Sequence, residues 1–287
     1  MTLKKLLINS ILLAGFTAVA AGPAVRAYTA VCTYPILGGH VIYVTFSKGA
    51  WTTDTVLTVP GKTSCSNNRH VLYQTREGGW YLRDALDWAN SARQLDPPAG
   101  ALRGVPSPNG ESVAWLVSVA PDNRGLIVEN LETHRRQEVS PEGQLAELPA
   151  WSPDSRTIVY YRKPADRPTA YSVWSFQVEA EDKPAVQIAP ASLPSSLSGP
   201  ERGFPPFWSP DSKLILFEAR YSEELPPDLF YIVEPATGRI WPSVGGMWYE
   251  DSKHLLATTS SASKRTSGSM HEYVLLNVFT NETKSLQ

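Results

Sequence analysis

Charge is scarce in this chain. Only 19% of its 287 residues are Asp, Glu, Lys or Arg, and the formal net charge is −2. That balance lacks the basic field on which nucleic-acid binding depends, so no nucleic-acid partner is expected. Histidine is sparse too: His40, His70, His134, His254 and His271 are scattered without ligand spacing. With no C-x-x-C, H-E-x-x-H or G-x-S-x-G motif beside them, no metal, cofactor or hydrolase nucleophile is expected. Past the N-terminus no apolar run approaches the length that spans a bilayer, so the mature chain is expected to carry no integral membrane segment. What is present is 42% hydrophobic residues, 24 Pro, 19 Gly and 9 Trp. Such a chain can bury a large core and is too rich in proline to be mostly helical, which excludes disorder and coiled coil alike.

Residues 1–27 have the layout of a secretory signal: Lys4 and Lys5, an apolar run from Leu6 to Ala21, and Ala-Val-Arg-Ala ending at Ala27. Its removal would take three positive charges and no negative one, leaving a mildly acidic mature chain, residues 28–287, of net −5. Export to a periplasmic or extracellular compartment is therefore expected. In that oxidising setting the two cysteines, Cys32 and Cys65, are expected to pair, and closing their loop would stabilise the fold by roughly 3–4 kcal/mol on the chain-entropy account.

A unit recurs along the mature chain. Trp151-Ser152-Pro153-Asp154-Ser155 precedes Thr157-Ile158-Val159-Tyr160, and Trp208-Ser209-Pro210-Asp211-Ser212 precedes Leu214-Ile215-Leu216-Phe217. Looser copies are Ser107-Pro108-Asn109-Gly110 and Trp248-Tyr249-Glu250-Asp251-Ser252, with a degraded one at Cys65-Ser66-Asn67-Asn68. Proline at the second turn position suits a type I turn, and Asn109, Asp154, Asp211 and Asp251 are placed to accept from nearby amides as turn stabilisers. The β-branched and aromatic runs that follow favour strands, and the Trp before the turn is large enough to fill the space between packed sheets. A second run completes each unit, as in Gly125–Asn130, Tyr171–Phe176, Leu229–Val233 and Tyr273–Val278, followed by a polar turn and a short last strand. Spacings of 41, 45, 57 and 40 residues between successive turns, with four strands per unit, describe propeller blades.

These residues resemble the TolB-type, WD40-like β-propeller repeats, whose signature is a Trp-Ser-Pro-Asp-Gly turn followed by an alternating strand. Ser155 and Ser212 stand where that family usually has Gly. The resemblance implies an all-β propeller of four-stranded blades, most simply six, with five the alternative and the first blades degenerate. Residues 28–65 would hold the first blade, with strands near 40–46 and 53–59. TolB proteins also carry an α/β domain before the propeller, for which this chain has no room.

In a propeller of this kind the marked turn joins the innermost strand to the second, so insertions sort by face. Residues 162–168, 221–227 and 258–270 fall between second and third strands, and 190–206 between blades, all opposite the marked turns. Long loops gathered on one rim are where a rigid scaffold carries recognition. Their charges, Arg162, Arg167, Glu201, Arg202, Glu223, Glu224, Lys264 and Arg265, suit a polar protein or peptide partner, with Phe204 and Phe207 as apolar anchors. The expectation is a non-catalytic exported propeller of the bacterial envelope. The alternative is a propeller hydrolase or lyase with a central-channel site, although Arg103 and Glu147 are the only charges near the inner strands.

Overall fold

The computed structural model describes residues 30–32, 39–47, 50–59, 62–66, 70–75, 77–84, 87, 89–120, 123–140, 144–164, 172–178, 183–189, 205–219, 229–249, 251–260 and 271–285. Below residue 70 only the backbone is described. The expected signal segment lies outside this set.

The described residues form antiparallel sheets in sequence order. First comes a three-stranded sheet of β1 (Ala30–Cys32), β2 (Gly39–Ser47) and β3 (Ala50–Val59). The second sheet contains β4 (Lys62–Ser66), β5 (His70–Gln74), β6 (Trp80–Asp84) and β7 (Arg93–Leu95). The third has β8 (Ala101–Pro106), β9 (Ser112–Ala120), β10 (Asn123–Asn130) and β11 (Arg136–Glu138), and the fourth β12 (Gln144–Trp151), β13 (Thr157–Pro164), β14 (Ser172–Gln177) and β15 (Val186–Ala189). The fifth consists of β16 (Phe207–Trp208), β17 (Ile215–Ala219), β18 (Leu229–Glu234) and β19 (Arg239–Ser243). The sixth is β20 (Met247–Trp248), β21 (His254–Ser260), β22 (His271–Asn277) and β23 (Thr283–Ser285). Within each sheet the strands pair in chain order, as a meander of hairpins requires.

From the second sheet to the sixth, consecutive sheets stack face to face, and the second strands of the third, fourth and fifth display this most clearly. In β9, Val113, Trp115 and Val117 pack with Leu72, Trp80 and Leu82 of the second sheet. Ala114 and Leu116, between them in sequence, pack with Trp151, Ile158 and Tyr160 of the fourth. Alternate side chains of a strand point to opposite faces, so this division places the third sheet between two others. The pattern repeats in β13, where Ile158 and Tyr160 face back and Val159 and Tyr161 face forward, and again in β17, with Phe217 on one side and Leu216 on the other. Each fully buried Val, Leu or Ile in these layers contributes about 1.5–3 kcal/mol.

Tryptophans tie the inner strands together. Trp151 Nε1 donates to the Val105 carbonyl (2.9 Å), Trp208 Nε1 to that of Ala150 (3.2 Å), and Trp248 Nε1 to that of Phe207 (3.0 Å). The tryptophan before each of these three marked turns thus fills an apolar layer with its ring and reaches the preceding inner strand with its one polar atom. Near the N-terminus β1 runs beside β4, which brings the backbones carrying Cys32 and Cys65 into neighbouring sheets. The side chains of both cysteines lie outside the described residues.

Candidate functional site

The two ends of the sheets are chemically different. One carries the marked turns. Ser152 Oγ donates to Asp154 Oδ1 (2.5 Å) and accepts from the Thr157 amide (2.9 Å), while Asp154 Oδ1 accepts from the Arg156 amide (3.1 Å). Ser209 and Asp211 repeat this set with the amides of Leu214 and Lys213, and Ser107 and Asn109 with those of Ser112 and Glu111. In the last copy Tyr249 supplies no hydroxyl at that place. Asp251 Oδ1 there takes both the Lys253 and His254 amides, and Oδ2 meets His254 Nδ1 at 2.6 Å. Burial pushes the Asp251 carboxyl up, but the Lys253 amide and the ring and amide of His254 outweigh it and hold the group below the ordinary carboxylate range.

Serine in place of glycine has a physical reason here. Ser155, Ser212 and Ser252 all have left-handed backbones, with φ of 63°, 62° and 57°. Glycine would take that conformation without strain. The hydroxyls give something glycine cannot: Ser155 Oγ accepts from the Asn109 amide (3.0 Å), Ser212 Oγ from that of Asp154 (3.2 Å), and Ser252 Oγ from that of Asp211 (3.0 Å). Every acceptor latches the turn of the sheet before it. At the head of the series Gly110 (φ 75°) lies so close to His70 that an added Cβ would sit 2.5 Å from its ring, and His70 Nδ1 contacts the Pro108 carbonyl at 3.0 Å.

The opposite end carries the long connections. Arg162 pairs with Ser172, Ala219 with Leu229 and Ser260 with His271, so residues 165–171, 220–228 and 261–270 depart from strand ends remote from the marked turns. Ala189 pairs with Val173 at the same end, which is where residues 190–204 leave.

Of the residues expected to form a partner surface, Arg167, Glu201, Arg202, Phe204, Glu223, Glu224, Lys264 and Arg265 lie outside the described residues. The two described ones require correction. Arg162 is no loop residue: β13 continues through Pro164, and the Arg162 side chain, on the face of Ile158 and Tyr160, is only 7% exposed. Phe207 is not a loop anchor but the first residue of β16, half-buried and packed against the layer of Leu214, Leu216 and Trp248. The inner-strand Arg103 is half-buried in β8, and the side chain of Glu147 lies outside the described set.

Sequence reasoning missed Glu129 altogether, and it named Arg162 without seeing that it is buried. Glu129, 3% exposed, accepts from Trp115 Nε1 (2.9 Å) and Arg136 (3.2 Å), joining a buried indole to a charge pair at the outer edge of the third sheet. Arg162 places its guanidinium carbon 4.1 Å from the Trp174 ring centroid, beside Tyr160. Burial, chiefly, pushes the Tyr160 phenol up to about 12, opposed by the charge of Arg162 and a hydrogen bond with it, and burial likewise lowers the Arg162 pKa. The period-two spacing Ile158, Tyr160, Arg162 was the available signal. Among the described residues no three His, Cys, Asp or Glu side chains gather as metal ligands.

No protein-family model and no curated protein matches the sequence. Solved structures do resemble the fold. A TolB-assigned protein from Agrobacterium tumefaciens is 13% identical, with 82% of this chain matched to 84% of that one and a TM-score of 0.50. The fold is a β-propeller. The propeller is similar as well to an oligogalacturonate lyase solved with manganese (14% identity, 79% of this chain and 70% of that, TM-score 0.52). All of it aligns with about half (49%) of dipeptidyl peptidase 4 from Porphyromonas gingivalis, at 13% identity and a TM-score of 0.51. Propellers of such different kinds share the scaffold, so its chemistry must be argued from its own residues.

Proposed function

We propose that the chain is an exported, non-catalytic β-propeller of the bacterial envelope that binds a protein or peptide partner through the end carrying its long connections. The observation that supports this reading most is the strand register, which sends residues 165–171, 190–204, 220–228 and 261–270 off one end of the sheets. The other end is occupied by short turns hydrogen-bonded to one another. A rigid stack with one fixed rim and one rim of variable connections suits recognition. The N-terminal segment supplies the export signal, and a Cys32–Cys65 bridge fastens the first sheet to the second.

Replacing residues 165–170 and 191–203 by short Gly/Ser connections, which stop short of β13 and β16, tests the reading. The mature protein should capture a partner saturably from an extract of its native compartment. The replaced protein should lose that capture while its thermal unfolding stays where it was. Undiminished capture by the replaced protein would place recognition elsewhere.

A further inference from the structure

The outer edges of the sheets are unequal. The second to sixth sheets end outward in β7, β11, β15, β19 and β23, strands of three, three, four, five and three residues. Four of these carry Arg93, Arg136, Glu138, Arg239, Pro242 and Lys284. Short length, charge and proline are the means by which an exposed edge is kept from pairing with another chain. The first sheet departs from this. β1 lies beside β4, so β3 forms the outer edge, and it runs for ten residues, Ala50–Val59. It contains no proline and one charge, Asp54, and six of the ten residues are β-branched. A bulge at Val56 interrupts its pairing with β2, yet the regular stretch Ala50–Thr55 alone is longer than any of the other outer strands.

Among the described residues no strand pairs with the far side of β3. Pro60 and Gly61 alone separate it from β4, so no chain is left at that end to fold back along the edge. With the proposed signal removed, residues 28 and 29 precede β1 and span about 7 Å at full extension. β3 lies two strand spacings, about 9.5 Å, beyond β1, and its free side farther still. An edge of this length offers its unpaired amides and carbonyls to another extended strand. Each copy of the chain has one such edge. A two-fold axis sets the edge against itself with the strands antiparallel, so that exposed donors face acceptors, and the contact uses up both edges and closes at two copies. The short outer strands of the other sheets offer no comparable run along which the assembly could continue.

We infer that β3 is a dimerisation edge, pairing antiparallel with β3 of a second copy of this chain so that two three-stranded sheets join as one of six strands. The edge lies on the outer margin of its sheet and on neither rim. Antiparallel pairing therefore leaves both loop-bearing rims open and directs them to opposite sides of the dimer. The shortness of the segment before β1 rests on the proposed export, and the display of two recognition rims on the proposed partner; the long outer edge rests on neither.

The test is sedimentation of the mature protein, residues 28–287, over a dilution series, together with hydrogen exchange. The parent should sediment at twice the monomer mass and dissociate on dilution. In the dimer the amides of residues 50–59 should exchange more slowly than those of β11 and β23, outer strands left unpaired, and should speed up as the dimer dissociates. Thr52→Lys and Thr53→Lys, made separately, each add a charge to the edge, and strand alternation places the two on opposite faces of the sheet. The variant that keeps the parent's circular dichroism should sediment as a monomer where the parent is dimeric. A parent that is monomeric at every concentration, with residues 50–59 slow or fast, would overturn the edge. So would assembly beyond two copies, a dimer in which residues 50–59 exchange as fast as β11 and β23, or undiminished dimers in both lysine variants. Partner capture separates the two readings: a monomeric variant that still captures leaves the loop-end reading standing, and a dimer whose capture survives the loop replacements leaves the edge standing.

Discussion

At the scale of single residues, Ser155, Ser212 and Ser252 show a local penalty exchanged for a distant bond. A left-handed backbone costs a side chain roughly 1–2 kcal/mol, while the net gain from a hydrogen bond is about 0.5–1.5 kcal/mol. Ser155→Ala keeps the strain and discards the acceptor, so it should destabilise by about 0.5–1.5 kcal/mol in urea unfolding. Ser155→Gly discards both and should fall close to the parent. An alanine variant as stable as the parent would remove the latch from the account. The turn roles of Asn109, Asp154, Asp211 and Asp251 were legible in the sequence because their partners lie within a few residues. The reason for serine was not, since Asn109 and Ser155 are 46 residues apart. Asp251 adds a pH dependence. Its pKa is depressed in the folded state, so it contributes stability above the unfolded value, and that contribution fades as pH falls through the folded one, below about pH 4. Asp251→Asn should therefore lose less stability than the parent between about pH 5 and pH 2, read as unfolding temperature against pH. Parallel acid limbs for the two proteins would count against the assignment.

Among the elements, the second strands govern the packing. Their uniformly apolar runs identified them as strands, and β10, β14, β18 and β22 begin and end within two residues of the expected positions. Face assignment was not legible, because Val113 to Val117 are apolar on both sides and only the neighbouring sheets distinguish them. Ends were misread where polarity misled: Arg162-Lys163-Pro164 has the composition of a loop yet continues β13, since antiparallel pairing with β12 extends to Pro164. Close approach of the sheets can be probed at Gly104 in β8. An added Cβ there would meet Leu72 Cδ2 at 2.4 Å and the Trp115 ring at 2.7 Å, both in the packed layer. Gly104→Ala should cost about 1–3 kcal/mol, measured by denaturant unfolding with an unchanged slope. A neutral substitution would mean that the second and third sheets pack more loosely than described.

For the whole molecule, the repeat period and the Trp before three of the turns carried the fold from sequence to structure. The proposed function rests on asymmetry between the two rims. The central claim is that recognition lies on the rim of long connections. Hydrogen exchange of the mature protein, alone and saturated with its captured partner, tests this most directly. The account predicts slowed exchange in peptides covering residues 162–171, 190–206, 220–228 and 261–270, and none at the turns 107–110, 152–155, 209–212 and 249–252. Protection centred on those turns, with the long connections unaffected, would contradict it.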